Sequence, residues 1–115
     1  MMILINSLIK IIICLTNLQF GIATIFWEHT DKYNPVAYGA CLKRDLRDSD
    51  FVVAHKTLPC KSKVFIYNIR TGRSAIARVG DRGPRKAAID LHKVVAERLK
   101  LNGKEHVIFF PLPEG

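Results

Sequence analysis

Residues 63–84 read KVFIYNIRTGRSAIARVGDRGP. In the first part Val64, Ile66 and Asn68 alternate against Phe65, Tyr67 and Ile69, the period-two pattern of a half-buried strand. Arg70, Thr71, Gly72 and Arg73 supply a turn, and Ser74 to Val79 resumes with small and β-branched residues, so the segment predicts a β-hairpin. Its second strand runs into VGDRGP, residues 79–84. There a single carboxylate, Asp81, stands between Gly80 and Gly83 with Pro84 behind it. Such a loop is shaped to hold an acid in one pose. The same residues are also common turn formers, so a plain tight turn is the alternative reading.

Outward from the hairpin, Gly21 to Trp27, Phe51 to His55 and Val107 to Phe110 read as further short strands, the last stopped by Pro111 and Pro113. One stretch breaks the pattern. Between Lys93 and Leu101 the apolar residues Val94, Val95, Leu99 and Leu101 fall at helical spacing, with Asn102 and Gly103 suited to a C-terminal cap. Residues 28–50 carry mixed charge and Pro35 and predict an ordered loop region. Short strands with one helix near the C-terminus make the fold class mainly β, a small barrel.

The chain has 115 residues, enough for one domain, and it opens on a largely apolar stretch, residues 1–20. An unbroken apolar run such as Ile11 to Leu15 is too short for a membrane-spanning helix, so the stretch reads as a signal peptide with an indistinct cleavage site. A secreted or periplasmic location follows, with residues 21–115 as the folded domain. An uncleaved anchor is the alternative, and it would be the domain's contact with a membrane. Beyond Lys10 the domain carries seventeen basic and ten acidic residues, a net +7 that favours a polyanionic partner. Outside the membrane such a partner is an acidic glycan or wall polymer rather than nucleic acid. With Cys14 in the leader, the domain keeps Cys41 and Cys60, and an even pair in an exported chain suggests one disulfide, two buried thiols being the alternative. The four histidines are scattered and stand at no metal-ligand spacing, so neither a metal nor a cofactor is expected. No oligomerisation pattern is visible, and a monomer is expected.

The blocks GIATIFW (21–27), AHKTLP (54–59), NIRTGRS (68–74), VGDRGP (79–84), IDL (89–91) and VVAERL (94–99) resemble, in order and spacing, the RlpA-like (rare lipoprotein A) double-psi β-barrel family. The resemblance covers nearly all of the domain, and AHKTLP with DRGP is specific as a combination. It implies a small six-stranded double-psi β-barrel and a lytic transglycosylase, a lyase of the cell wall. The implied reaction cuts peptidoglycan between N-acetylmuramic acid and N-acetylglucosamine and leaves 1,6-anhydro ends. By matching position Asp81 is the catalytic acid and His55 its companion. The family also carries an acidic residue upstream of the AHKTLP block. Here Asp45, Asp48 and Asp50 are interleaved with Arg44 and Arg47, and Asp48 is the candidate. Further departures are Cys60 and Lys61 in place of a Gly-Thr turn, Arg85 in place of an aromatic, and His92 in place of a helix-capping Ser.

Candidate substrate contacts are Trp27 and Tyr33, which could stack on sugar rings or serve as packing, together with Lys56, Arg78 and Arg82. Arg78 belongs to a solvated face or contacts acidic glycan. Arg82 either points away from Asp81 or binds a substrate carboxylate. His55 either bonds Asp81 or the sugar, or satisfies backbone groups at a barrel crossing. Asp90 reads as a helix N-terminal partner or a bond to the DRGP loop amides. The fold alone does not fix function. The same barrel is shared by expansins and barwin-like proteins, so a non-catalytic wall-glycan-binding module is the second reading and a cationic interaction scaffold the third.

Overall fold

The computed structural model describes residues 2–26 and 38–113. Helix α1 spans Met2–Thr16, and strand β1 follows at Gln19–Phe26. Then come two short strands, β2 (Tyr38–Gly39) and β3 (Arg44–Asp45), followed by β4 (Val52–Ala54), β5 (Lys63–Asn68) and β6 (Ser74–Asp81). The chain ends through β7 (Ile89–His92), helix α2 (Lys93–Arg98) and β8 (Glu105–Pro111). Six strands close into a barrel in the order β1-β7-β4-β6-β5-β8, while β2 and β3 pair as a separate ribbon. Two barrel pairs, β1 with β7 and β4 with β6, are parallel; the others are antiparallel. This is the mainly β, double-psi barrel architecture expected from the sequence.

Alternation explains the core. On β5 and β6 the residues Val64, Ile66, Ala75, Ala77 and Val79 point inward, and Lys63, Tyr67, Ser74, Ile76 and Arg78 point to solvent. Val53, Ile89, Leu91, Val107 and Phe109 complete the interior, each with no exposed surface. Burying each such side chain contributes roughly 1.5–3 kcal/mol. Asn68 is also fully buried, and it bonds on both sides: its Nδ2 donates to the carbonyl of Leu99 at 3.0 Å, and its Oδ1 accepts from the Arg70 amide at 3.1 Å. The end of the hairpin is thereby tied to the end of α2.

The sequence pattern marks five strands, and the sixth is β7. IDLH has only four residues and abuts the helix directly, so its inward Ile89 and Leu91 gave too short a pattern to separate from the helix that follows. Helix α2 ends at Arg98, short of the expected Leu101. Lys100 already adopts a left-handed conformation with φ of 50°, and the amide of Leu101 bonds back to the carbonyl of Ala96. Residues 38–50 contain the β2–β3 ribbon rather than loop alone. Strand β1 begins two residues inside the expected leader, with Gln19 opposite Phe109 and Phe20 opposite Ile108. No helix among the described residues is long and apolar enough to cross a membrane.

Candidate functional site

Asp81 lies at the end of β6, half-buried, where a bulge shifts the register against β4 so that Ala54 faces Asp81 directly. Gly80 makes this possible, because a Cβ there would stand 2.7 Å from the Cβ of Val52. After Asp81 the loop turns through Gly83, whose φ of 117° suits only glycine. The carboxylate is oriented by main chain: Oδ1 accepts from the amide of Ala40 at 3.1 Å and from that of Arg82 at 2.8 Å. Oδ2 has no partner among the described residues.

His55 follows β4. Its amide donates to the carbonyl of Asp81 at 3.2 Å, which ties the two loops together through the main chain. The ring is 6 % exposed and packs edge-on against Phe109. Nδ1 accepts from the amides of Thr57 at 3.1 Å and Leu58 at 3.0 Å. The imidazole is therefore neutral with its hydrogen on Nε2. Burial, reinforced by the charges of Arg82 and Lys56, keeps its pKa below the usual histidine value. His55 thus shapes the loop that runs beside Asp81, and no described hydrogen bond joins its ring to that carboxylate.

Arg82 points its guanidinium away from Asp81. Nη1 donates to the carbonyls of His55 (3.1 Å) and Leu58 (2.6 Å), and Nη2 donates to Sγ of Cys60 (3.2 Å). Cys60 is disulfide-bonded to Cys41, and the amide of Cys41 bonds to the carbonyl of Gly80 at 3.1 Å. One covalent link therefore joins the segment that presents the Ala40 amide to the loop that carries His55. Two other basic candidates also spend donors on backbone: Lys56 on the carbonyl of Arg85 at 2.9 Å and Arg78 on that of Lys61 at 2.6 Å. Trp27 and Tyr33 lie outside the described residues.

The upstream acids are not gathered at Asp81. Asp48 pairs with Lys93 at 3.0 Å on the first residue of α2. Asp50 is gripped by both Nη atoms of Arg44 at 2.7 and 2.9 Å, and that guanidinium, together with the Arg47 amide, holds its carboxyl down at about 2. Asp45 is exposed on β3. Among the described residues no three of His, Cys, Asp and Glu assemble as a metal site.

A different carboxylate is brought close. Register pairs Thr24 with Asp90 (β1 with β7), Asp90 with Ala54 (β7 with β4) and Ala54 with Asp81 (β4 with β6). Directly paired residues point to one side of a sheet, so Thr24, Asp90, Ala54 and Asp81 form a row across four adjacent strands. Asp90 is half-buried, and its Oδ1 accepts from the Thr24 hydroxyl at 2.8 Å. Burial first, and the like charge of Asp81 as well, push its carboxyl above the usual range; the Thr24 bond opposes them. At the Thr24 end the row meets a cleft of about 150 Å³ lined by Ile22, Thr24, Lys86, Ala87 and Lys104. A larger concavity of about 440 Å³ beside the Arg70–Glu105 ion pair includes none of these acids, so chemistry rather than size identifies the site. The sequence signal for Asp90 was present in IDL, a polar residue between two apolar ones, but its neighbours across the barrel cannot be read from the chain.

No protein-family model matches the chain. It is similar to the endolytic peptidoglycan transglycosylase RlpA of Neisseria meningitidis serogroup A, 44% identical over 61 residues, covering 50% of this chain and 26% of that protein. To the protein of the same name from Yersinia pestis it is 33% identical over 91 residues, 77% of this chain and 24% of the relative. The chain thus spans about a quarter of the length of these curated relatives. Among solved structures, Streptomyces papain inhibitor superposes with a TM-score of 0.59 at 23% identity, covering 84% of this chain and 94% of that one, a likeness of fold alone. With a closed six-stranded barrel, the DRGP loop set against the AHKTLP loop, and these sequence relatives, the chain belongs to the RlpA-like double-psi β-barrel family.

Proposed function

We propose that the protein is a peptidoglycan lytic transglycosylase that cleaves the bond between N-acetylmuramic acid and N-acetylglucosamine, with Asp81 handling the proton. The relatives' name supports the substrate class. The observation that carries the reading is the Asp81 carboxyl itself: one oxygen is fixed by two amides, and the other meets no partner among the described residues. In the protonated form Asp81 donates to the leaving glycosidic oxygen as the anomeric bond breaks. As carboxylate it then takes the proton of the muramic acid 6-hydroxyl while that oxygen closes onto the anomeric carbon. The product carries a 1,6-anhydro ring, and no water is consumed. His55 and Arg82 act from behind by setting the AHKTLP loop. The basic surface draws acidic glycan toward the barrel, and Lys56, Arg78 and the segment with Trp27 and Tyr33 offer it contacts.

In this reading residues 1–20 direct export and the protein works as a monomer in the periplasm or outside the cell. A disulfide suits such an oxidising compartment. The test is incubation of the purified full chain with intact peptidoglycan and with glycan strands stripped of stem peptides, followed by mass analysis of the soluble products. Anhydro-muropeptides that vanish in Asp81→Asn are expected. Binding without release of such products replaces this reading with an expansin-like module. A protein that ignores the wall altogether leaves the interaction scaffold.

A further inference from the structure

We infer that the concavity of about 440 Å³ beside the Arg70–Glu105 ion pair is a distal subsite for a carboxylate carried on the glycan strand, with Lys104 and Arg70 as its receiving cations. The inference rests on the peptidoglycan reading, because it names a second place at which the same polymer is held.

Position is the first support. The row of Asp81, Ala54, Asp90 and Thr24 crosses β6, β4, β7 and β1, and the next strand around the barrel is β8. There Glu105 pairs with Ala23 and His106 with Ile22, so the antiparallel register sets Lys104, one residue before Glu105, level with Thr24. Residues level on neighbouring strands share a face. Lys104 accordingly lines both the small cleft at Thr24 and the larger concavity. From Asp81 to Lys104 the row spans four strand spacings, about 19 Å along the barrel wall. A strand seated at Asp81 and led past Thr24 reaches the concavity with units several sugars away from the cleaved bond.

Charge is the second support. Glu105 is the acid of the concavity, and its oxygens are already spent: Oε2 accepts from Nε of Arg70 at 2.9 Å, and Oε1 accepts from Nη2 at 2.9 Å and from the Asn102 amide. That guanidinium holds the Glu105 carboxyl below the usual range. Nη2 also donates to the carbonyl of Lys100 at 2.9 Å, which leaves Nη1 of Arg70 without a described partner. Lys104 has none among the described residues either. Two cations thus stand against one satisfied anion, and their free donors suit an incoming carboxylate. Ile69 is exposed and gives the concavity an apolar wall, and His106, stacked on Phe20 at 5.1 Å, gives it an aromatic edge. Apolar surface beside unpaired cations fits an acid group borne on an uncharged sugar frame. On a wall strand that acid is the lactyl carboxylate of muramic acid or a carboxylate of the stem peptide.

The experiment measures binding by isothermal titration at low ionic strength, using the full chain with Asp81→Asn so that the strands persist. The ligands are bare glycan strands, the same strands with their lactyl carboxylates converted to amides, strands that keep stem peptides, and chitin oligosaccharides, which carry no carboxylate. Adding Lys104→Gln should raise Kd for carboxylate-bearing strands about three- to fivefold, the scale of one exposed ion pair. Lys104→Glu should raise it further, Lys104→Arg should restore it, and salt should erase the differences. Chitin oligosaccharides should bind all four proteins alike. A Lys104 effect on bare strands that amidation abolishes assigns the site to the lactyl carboxylate; an effect confined to peptide-bearing strands assigns it to the stem peptide. Unchanged Kd in Lys104→Gln on both carboxylate-bearing ligands, or an equal rise on chitin oligosaccharides, overturns the subsite. That result leaves the transglycosylase standing if the protein with Asp81 intact releases anhydro products. A Lys104 effect without any such products keeps the subsite and overturns the transglycosylase.

Discussion

Replacing Cys41 and Cys60 together by alanine removes a cross-link between residues 19 apart. In the chain-entropy description, closing a loop of that length stabilises the fold by about 3 kcal/mol, because the unfolded chain loses freedom that the folded one never had. For a domain of roughly this size each kcal/mol moves the melting temperature by about 4–8 °C, so the double variant should melt about 12–24 °C lower. The loss is also local. The cross-link joins the segment that supplies the Ala40 amide to Asp81 with the loop shaped by His55 and Arg82. Activity should accordingly fall at temperatures well below the new midpoint. Thermal melts followed by far-ultraviolet circular dichroism, with and without dithiothreitol, provide the assay: the reductant should bring wild type down to the variant and leave the variant unmoved. A difference below about 4 °C, or a variant that is still sensitive to the reductant, refutes the reasoning.

Removing the ring of His55 with alanine strands two amides, those of Thr57 and Leu58, and should cost about 2–4 kcal/mol in urea denaturation. Asn at this position places an oxygen where Nδ1 stood and should recover most of that cost. Because the folded-state pKa of His55 lies below its unfolded value near 6.5, its contribution is complete above about pH 6.5. It is lost as pH falls through the depressed folded value, and this acid-side decline should be absent in His55→Asn. Asp90 has the opposite sign. Its raised pKa means that the folded state carries a burden once the carboxyl ionises, so stability is fullest below about pH 4 and declines as pH rises through the folded value. Asp90→Asn should therefore be more stable than wild type at pH 7, with the gap closing below about pH 4. A gap that persists at pH 3 in denaturant titrations contradicts this account.

Local pattern determined much of the protein. The alternation of Val64, Ile66 and Asn68, the turn at Gly72 and the confinement of Asp81 between Gly80 and Gly83 depend on residues near one another in the chain. Those residues mark the hairpin and its acid on their own. The pairing of Cys41 with Cys60 was open to cysteine counting. Tertiary structure alone decided which side chains meet at the site. Strand β7 lies between β1 and β4, so Asp90 and Thr24 come from segments 66 residues apart, and Asp81 joins their row through a third strand and a bulge. Barrel closure sets those registers, and closure depends on the whole set of strands at once. The same cause decides between the two readings of Arg82 and makes it a brace for carbonyls that points away from Asp81, since only the folded chain shows where its donors go. A sequence displays the groups able to do chemistry; the fold supplies their neighbours, and neighbours determine where a proton resides.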